Sequence, residues 1–444
     1  MSEWKALPLG SLASIRRGIG YSDQTMRDAS EEGLPYFNMK SFKKGGGFNK
    51  AGLKYFCGVF SESDVATKRD VLIANTDVTP GGDIIGVSAD LPAFLLESGT
   101  LFSHHVTRIR PIDDIQPRFL SFLLCADHYR RWMLKYARGT TVLMLDMRAI
   151  RNIPIRFPSA TEEQLRIAAI LTSLDTAIDK TEALIEKHQQ IKAGLMRDLF
   201  TRGVLPSGQL RPSREQAPEL YRETAAGWFP EDWSAETLES LLAPVANNIR
   251  SGPFGSALLK HELVENGIPF LGIDNIHVEE FRRDFKRFVS ARKFRELSRY
   301  RVRPRDVIIT IMGTVGRCCV VPDDLEIALS SKHLWTMTFD VERVIPELIG
   351  WQLNHAEWAK AWFRRCVQGG VMDAIQSSTL RTLKLPLPGI DEQRRIFARY
   401  EGAQSLVQRS RAQLTKLQQQ KLGLMQDLLT GKVRVNATEH GVPA

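Results

Sequence analysis

The feature that most constrains this chain is a duplication in which two halves repeat at a fixed offset of 229 residues. Single residues recur at this offset, as in the pairs Trp4 and Trp233, Gln164 and Gln393, and Leu195 and Leu424. A longer segment also recurs, with Lys192-x-Gly194-Leu195-Met196-x-Asp198-Leu199 matched by Lys421-x-Gly423-Leu424-Met425-x-Asp427-Leu428. Two halves repeated in one register predict two similar modules with pseudo-two-fold symmetry, which suit a partner that itself has two sites.

The size and charge of the chain narrow its class. With 444 residues, of which 43% are hydrophobic, the chain is long enough for two or three domains with proper cores. No apolar run approaches the roughly 18 residues that cross a bilayer, and the first residues do not resemble a secretion signal. We therefore expect a cytoplasmic protein without a membrane partner. The net charge of +9 favours a polyanionic partner such as DNA.

The sequence predicts a mixed α/β fold in which two globular domains alternate with two long helices. Short β-like runs with glycine and proline punctuation characterise the globular parts, and uninterrupted helical periodicity characterises the helices. A polar stretch rich in proline and glycine between the two halves is typical of a linker. The predicted organisation is a first domain at 1–158, a helix at 159–202, a linker at 203–226, a second domain at 227–388, a helix at 389–433 and a tail at 434–444.

Both predicted helices show the spacing of a coiled-coil seam. In the first helix, apolar or small residues recur in steps of mostly four and three from Ile167 to Leu199, with His188 as the polar exception. Every seam position of the second helix, from Ile396 to Leu428, lies 229 residues later. Gly194 and Gly423 lie inside these helices, and a close approach of two helices is a plausible reason for them. A helix of this length, roughly 57 Å, predicts a ruler that separates two DNA-binding modules by more than one DNA turn.

Two basic segments are candidates for DNA contact. Between Phe281 and Asp306 the sequence has eleven Lys or Arg residues and three acids, a density that phosphates would neutralise. The candidates there are Arg282, Arg283, Lys286, Arg287, Arg292 and Lys293. In the first domain, a glycine-rich loop supplies Lys43, Lys44 and Lys50, and its bare backbone could approach phosphates closely. The alternatives are an ordinary solvated face for the first segment and a mobile surface turn for the second.

Catalytic and metal-binding motifs are missing from the sequence. His104, His105 and His333 follow serines in matching strand-like positions, but no carboxylate or cysteine stands at ligand spacing. These histidines are more typical of hydrogen-bonded structural or interface residues. The turn at Gly313 to Gly316 is interpreted as a tight turn, and the chain has no Walker motif, no methyltransferase tetrapeptide and no H-E-x-x-H. We expect no catalytic residue, no metal site and no bound cofactor in this chain.

The end of the second helix, from Lys421 to Val435, resembles the C-terminal conserved region of the specificity subunits of type I restriction-modification systems. Further segments fit that family's pattern at Gly227 to Trp233, Ser251 to Ser256 and Gly313 to Arg317, and in outline at Leu383 to Pro388. The first domain departs from the pattern, with Gly18 to Asp23 in place of Ser251 to Ser256 and Ala74 to Gly82 in place of the Gly313 turn.

The resemblance implies two target recognition domains joined by two long antiparallel helices, each domain reading one half of a split target in double-stranded DNA. It also implies a subunit without catalysis of its own, docked to two methyltransferase subunits and to motor-nuclease subunits. S-adenosylmethionine, ATP and Mg²⁺ are then expected on those partner subunits. The divergence between the two domains is what the reading of two different half-sites would require.

Three other functions are compatible with parts of the sequence. A fused methyltransferase or nuclease would need an active-site motif, which the sequence lacks. A coiled-coil scaffold that merely spaces two protein-binding domains fits the helices but makes no use of the basic charge. An orphan DNA-binding protein would differ from a specificity subunit only in having no restriction partners. Salt-dependent DNA binding would distinguish this orphan protein from the scaffold.

Overall fold

Two compact units make up the fold, and the boundary between them runs through both long helices. Unit 1 consists of residues 1–184 and 410–444, and unit 2 consists of residues 185–409. Each unit therefore contains one globular domain, the start of one long helix and the end of the other. A computed structural model of the chain describes residues 3–28, 33–112, 114–224, 227–367 and 375–435.

Unit 1 contains fourteen short strands in its described residues. They are β1 Trp4–Pro8, β2 Ala13–Arg17, β3 Met26–Arg27, β4 Leu34–Phe37, β5 Lys54–Phe56, β6 Val65–Ala66, β7 Val71–Ala74, β8 Thr76–Asp77, β9 Ser88–Ala89, β10 Thr100–Phe102, β11 Val106–Pro111, β12 Ala137–Arg138, β13 Leu143–Leu145 and β14 Pro154–Pro158. Its helices are α1 Leu9–Leu12, α2 Ala93–Glu97, α3 Pro117–Cys125, α4 Asp127–Tyr136 and α5 Met147–Arg151, followed by the long helix α6 Thr161–Arg202, which continues into unit 2.

Unit 2 repeats this order of elements with small changes. Its strands are β15 Tyr221–Thr224, β16 Gly227–Pro230, β17 Ser234–Thr237, β18 Ile249–Arg250, β19 Leu263–Val264, β20 Ile268–Leu271, β21 Ile276–His277, β22 Glu280–Phe281, β23 Phe288–Val289, β24 Arg301–Val302, β25 Val307–Thr310, β26 Cys318–Val320, β27 Ala328–Ser330, β28 Leu334–Met337 and β29 Lys384–Leu387. Its helices are α7 Leu238–Leu241, α8 Ala291–Glu296, α9 Pro346–His355, α10 Glu357–Val367 and α11 Ser377–Arg381, followed by α12 Ile390–Leu428, whose second half lies in unit 1.

The sheets of the two units have the same topology. A four-stranded sheet has the order β2-β11-β7-β9 in unit 1 and β18-β28-β25-β26 in unit 2. A five-stranded sheet has the order β3-β5-β4-β10-β6 in unit 1 and β19-β23-β20-β27-β24 in unit 2. In each five-stranded sheet the same two neighbours pair in parallel, β4 with β10 and β20 with β27. The duplication seen in the sequence is therefore a duplication of the fold.

Apolar central strands explain why these sheets form the core. All four residues of Val71–Ala74 and all four of Val307–Thr310 are buried, as expected for strands covered on both faces. Helix α3 covers one face of the first sheet through Phe119, Leu120 and Leu123. Helix α9 covers the equivalent sheet of unit 2. The central strands of these two sheets are therefore covered and cannot contact a partner directly.

Each long helix ends where a glycine takes up a left-handed conformation. Gly203 follows α6 with φ +69°, and Gly431 lies shortly after α12 with φ +73°. The second helix was predicted to run to residue 433, and it ends at Leu428 because Gly431 stops the helix and turns the chain back. The first helix ends at Arg202 as predicted, and it begins at Thr161.

The segment 203–226 differs from the linker that its composition indicated, because its described residues are ordered against unit 2. Arg211 is buried and forms an ion pair of 2.5 Å with Glu392 at the start of α12 and another of 2.5 Å with Asp232. Strand β15 pairs with β16 along its full length. A buried arginine needs its carboxylate partner, so this segment is fixed in place by charge as well as by strand pairing.

The two glycines inside the long helices do not have the role that the sequence suggested. A side-chain carbon placed on Gly194 or on Gly423 would meet no atom of the described residues within 4 Å, so no second helix in that part of the chain approaches closely there. Most seam positions of α6 are buried or half-buried, but Ile191 is 55% exposed. The equivalent position on α12, Gln420, is exposed as well.

Candidate nucleic-acid interface

A buried glutamine attaches the start of each long helix to the domain that precedes it. In unit 1, the Gln164 amide donates to the carbonyls of Pro158 and Asp114 and accepts from the backbone N–H of Gln116, at 2.8 to 3.0 Å. In unit 2, Gln393 makes the same three bonds, to Pro388, Arg343 and Ile345, at 2.9 to 3.0 Å. Both glutamines are fully buried. The pair that first marked the duplication thus fixes each helix to its domain in the same way.

The end of each helix packs on the domain of the other half. In unit 1, Met425 and Leu428 of α12, with Leu429 directly after it, join the core that contains Ile167 and Leu171 of α6. In unit 2, Met196, Leu199 and Phe200 of α6 form a cluster with Trp233 and Ile396. Phe200 stacks on Trp351 with ring centroids 4.0 Å apart. This exchange of helix ends explains why the unit boundary crosses the helices and not the junctions between domain and helix.

One lysine near the end of each long helix pairs with a carboxylate. In unit 1 this carboxylate belongs to the other long helix, whereas in unit 2 it belongs to the globular domain. In unit 1, Lys421 of α12 pairs at 2.5 Å with Asp175 of α6. In unit 2, Lys192 of α6 donates to the Gln404 amide oxygen of α12, at 2.7 Å, and meets no carboxylate there because Gln404 occupies the position equivalent to Asp175. The missing charge is supplied by the domain, where Glu279 forms an ion pair with Lys192.

Glu279 lies at the turn between β21 and β22 and is bonded by three elements. It has a left-handed backbone with φ +59°, and it accepts hydrogen bonds from Lys192, from His355 Nε2 at 2.6 Å and from the Tyr400 hydroxyl at 3.3 Å. Burial alone would raise the pKa of Glu279, but the His355 hydrogen bond and the charge of Lys192 outweigh burial and lower it. The carboxylate therefore connects the domain to α6, α9 and α12 within unit 2.

The basic loop predicted in the first domain has two of its three lysines neutralised by carboxylates. Lys43 pairs with Asp179 at 2.8 Å and Glu182 at 3.3 Å, both on α6, so this lysine fixes the loop to the helix. Lys44 pairs with Asp83 at 2.6 Å, which raises the pKa of Lys44. Lys50 is exposed, and within the described ranges it has no charged partner.

All six basic candidates of the second domain also lie beside carboxylates. Arg282 pairs with Glu280 at 3.2 Å, Lys286 with Asp274 at 4.0 Å, Arg292 with Glu296 at 3.2 Å and Lys293 with Glu262 at 2.7 Å, while Arg283 pairs with Asp324 and Arg287 with Asp274. Most of these acids stand outside the Phe281–Asp306 segment or at its edge. The segment is therefore less positive in the folded protein than its local sequence indicated.

Loops from several strands converge at one end of the sheets in each unit. In unit 1 the loop after β2 contacts the loop between β10 and β11, where Gly18 lies so close to the carbonyls of Phe102 and Ser103 that a side-chain carbon would overlap them. In unit 2, Gly252 lies equally close to Ser330 and Ser331. The comparison of the two halves of the sequence matches Gly18 with Ser251. The contacts show instead that Gly252 is the structural equivalent of Gly18. An exposed aromatic residue follows each glycine, Tyr21 in unit 1 and Phe254 in unit 2.

The three histidines noted in the sequence lie in these converging loops. His105 Nδ1 lies 2.9 Å from the Thr76 hydroxyl, and His104 lies against the Tyr21 ring with centroids 5.5 Å apart. His333 Nδ1 lies 3.1 Å from the sulfur of Met312. Burial lowers the pKa of all three histidines, and neighbouring positive charges act in the same direction, so we expect neutral rings at pH 7. They are packing and hydrogen-bonding residues in the positions where the loops meet.

The residues that the structure describes include neither a cluster of metal ligands nor a membrane-spanning helix. No group of three or more His, Cys, Asp or Glu side chains in that part of the chain is arranged to hold a metal ion. Of its helices, none combines the length and the apolar character that a bilayer crossing requires.

Known proteins of one kind are similar to this chain. Residues 1–191 match the family described as type I restriction modification DNA specificity domain. The chain is 24% identical over 442 residues to the specificity subunit of the type I restriction enzyme MjaVIII of Methanocaldococcus jannaschii, covering 98% of this chain and 93% of that protein. It is 21% identical over 404 residues to the specificity subunit of the type I restriction enzyme EcoBI of Escherichia coli, covering 90% of this chain and 78% of that protein.

A solved structure has the same fold. The S subunit of a type I restriction-modification system from M. genitalium superposes with a TM-score of 0.58 over 98% of this chain and 97% of that chain, at 15% sequence identity. At this identity the likeness concerns the fold, which is mixed α/β in both proteins.

Proposed function

We propose that this chain, which is similar to the specificity subunits of type I restriction-modification systems, is the subunit that selects the DNA sequence on which such a system acts. The observation that carries this proposal is a repeated framework with different loops. The strand order of the four-stranded and five-stranded sheets and the buried glutamine anchor are the same in both units. By contrast, the segment between β7 and β9 spans 75–87 and contains β8, whereas its equivalent between β25 and β26 spans only 311–317. A common framework with divergent loops suits two domains that read two different half-sites.

The proposed arrangement joins the two target recognition domains by α6 and α12 as an antiparallel pair. Contacts inside each unit support it, since Lys421 of α12 meets Asp175 in unit 1 and Gln404 of α12 meets Lys192 in unit 2. At 1.5 Å per residue, the 42 residues of α6 extend about 63 Å. Helices of this length would set the spacing between the half-sites, and the three lysines and six basic residues named above remain candidates for weaker phosphate contacts.

The proposed partners are double-stranded DNA, two methyltransferase subunits and motor-nuclease subunits, in the cytoplasm. The specificity subunit does no chemistry in this proposal, and S-adenosylmethionine, ATP and Mg²⁺ belong to the partner subunits. Purified chain alone is expected to show neither methylation nor cleavage of DNA with any of these cofactors. Turnover by the isolated chain would contradict the non-catalytic role.

A domain exchange tests the modular reading of DNA. Residues 1–157 are replaced by the corresponding domain of another specificity subunit, and the host methylome is sequenced with each version. We expect a change in one half of the methylated sequence only, because unit 1 reads one half-site. A change in both halves, or in neither, would refute the modular assignment. As a second readout, lengthening α6 and α12 by two turns each is expected to increase the spacing between the half-sites.

A further inference from the structure

One edge of unit 1 carries a face of exposed side chains built from β2, β8 and the hairpin β12–β13. In the hairpin, Arg138 stands directly opposite Met144, and Met144 stands opposite Thr76 of β8. The Arg17 guanidinium, at the end of β2, lies 3.2 Å from the sulfur of Met144. Because cross-strand neighbours share one face of a sheet, these contacts place both arginines on the same surface. We call it the Arg17 face, made of Arg17, Tyr21, Arg138, Val142 and Met144.

The two arginines of this face differ from the basic residues that the sequence singled out. Arg17 and Arg138 are exposed, and neither has a carboxylate partner among the residues that the structure describes. The acid of the adjacent strand β8, Asp77, is buried and accepts hydrogen bonds from the backbone N–H groups of Thr79 at 2.8 Å and Ile84 at 2.6 Å. The positive charge of the Arg17 face is therefore uncompensated, which is the condition for binding phosphates or base edges.

Apolar and stacking groups accompany this charge. Tyr21 is 46% exposed and Met144 is 43% exposed. Tyr21 rests on the rings of Tyr36 and His104 at centroid distances of 5.9 and 5.5 Å. Exposed apolar groups on a rigid base are suited to contact with thymine methyl groups and deoxyribose. A purely electrostatic surface would not distinguish one base from another.

The hairpin itself has the form of a DNA-reading ribbon. The turn requires a glycine, since Gly139 has φ +123° and a side-chain carbon there would overlap the Val142 carbonyl. Thr140 and Thr141 are exposed at the tip and supply hydroxyl donors and acceptors. A two-stranded β-ribbon fits into the major groove of B-DNA. The strand β13 is attached to the unit through β8, so the ribbon projects from a fixed base.

We propose that the Arg17 face is the surface through which unit 1 contacts its DNA half-site, with the ribbon β12–β13 in the major groove. Arg17 binds the phosphate backbone at the rim of the groove, and Arg138 on the ribbon reads a base edge. This inference rests on the proposed function and identifies the part of the domain that performs it.

The test uses the full chain assembled with its methyltransferase subunit. The probe is a 40-base-pair duplex that contains the sequence found methylated in the host, and its competitor is the same duplex with both half-sites scrambled. The variant is Arg17→Ala with Arg138→Ala. Its control is Lys54→Ala with Arg131→Ala, which removes the same charge from residues of unit 1 that are paired with Asp28 and Asp127 and that are not candidates for DNA contact.

We expect the Arg17 and Arg138 variant to bind the probe at least about tenfold more weakly, while the control changes affinity less than about twofold. The slope of log affinity against log salt should fall by about 0.9 for each phosphate contact that is lost. Arg138→Lys alone should add methylated sequences in the host that differ in one half-site only, because lysine cannot make the bidentate contact of arginine.

Three results would overturn the inference. If both double variants bind the probe equally well while the unchanged complex still prefers it to the scrambled duplex, DNA is contacted elsewhere and the proposed function stands. If the Arg17 and Arg138 variant loses its methyltransferase subunit on purification, the face is a protein-docking surface. If the unchanged complex itself does not prefer the probe, the proposed function fails and this inference fails with it. Thermal melting of each variant by circular dichroism verifies that the fold is retained.

Discussion

Removal of the Glu279 carboxylate is the most informative perturbation of this fold. The change Glu279→Ala leaves the Lys192 ammonium without a counter-charge in unit 2. Both side chains are largely buried, with exposed fractions of 14% for Lys192 and 13% for Glu279. The left-handed backbone at this position disfavours alanine and glutamate alike, so the effect measures the lost charge and not the backbone.

The expected loss in the free energy of unfolding follows from the surroundings of Lys192. Breaking a buried ion pair by removing one partner costs about 3 to 5 kcal/mol. Lys192 keeps the Gln404 amide oxygen at 2.7 Å and the Tyr400 ring at 5.0 Å, which compensate part of the missing charge. We therefore expect a loss of about 3 kcal/mol, at the lower end of that range.

Urea denaturation followed by tryptophan fluorescence measures this loss. Most of the signal comes from unit 2, because it contains six of the eight tryptophans, namely Trp228, Trp233, Trp335, Trp351, Trp358 and Trp362. With a denaturant dependence of about 2 kcal/mol per molar urea, the midpoint should fall by about 1.5 M. Glu265→Ala, which removes an exposed carboxylate from the same unit, is the matched control and should change stability by less than about 0.5 kcal/mol.

A second substitution separates the need for charge from a local packing defect. Adding Gln404→Glu to Glu279→Ala moves the carboxylate onto α12, at the position equivalent to Asp175 of α6, which pairs with Lys421 in unit 1. We expect the double variant to recover at least half of the lost stability. A loss below about 1 kcal/mol for Glu279→Ala, or no recovery in the double variant, would refute the view that Lys192 requires a carboxylate.

Three further predictions concern other parts of the fold. The lowered pKa of Glu279 means that its ionised form stabilises the fold above the unfolded pKa of about 4.3, and that this contribution is lost as pH falls through the lower folded value. The stability difference between the natural chain and Glu279→Gln should therefore shrink on acidification below pH 5, and a constant difference would contradict the linkage. Gly194→Ala and Gly423→Ala should each raise stability by about 0.5 to 1 kcal/mol in thermal melting, since both positions are helical and open. Gly203→Ala should lower stability by more than 1 kcal/mol, because the backbone is left-handed and the new carbon would overlap Glu392 and Trp233; a neutral result would show that the helix end can rearrange.

Sequence periodicity predicted the helices well because helix formation is a local property. The step pattern of apolar residues and the matched end segments located α6 and α12 to within a few residues at most ends. The one larger error, at the end of α12, came from placing the stop after Gly431 when that glycine itself ends the helix. The ordered segment 203–226 was missed because composition shows flexibility of the free chain and not the buried Arg211 ion pair that fixes it.

Charge density in the sequence did not show which basic residues are paired with carboxylates in the folded protein. Nine basic residues were selected from local density, and eight of them have carboxylate neighbours in the folded protein, Lys50 being the exception. Several of those carboxylates are remote in sequence, as with Lys43 and Asp179. The arginines of the Arg17 face escaped notice because they are separated by more than a hundred residues and neither lies in a basic run.

What the sequence determined by itself is the duplication, the two helices and the family resemblance, since all three are written as residue identities at fixed spacing. Only the tertiary structure decided which helix end packs on which domain, which carboxylate neutralises each lysine and which arginines remain free. Those outcomes depend on side chains that are distant in the chain and adjacent in space. The equivalent lysines Lys421 and Lys192 lie in the same helix pattern. Lys421 pairs with Asp175 in unit 1, whereas Lys192 pairs with Glu279 in unit 2.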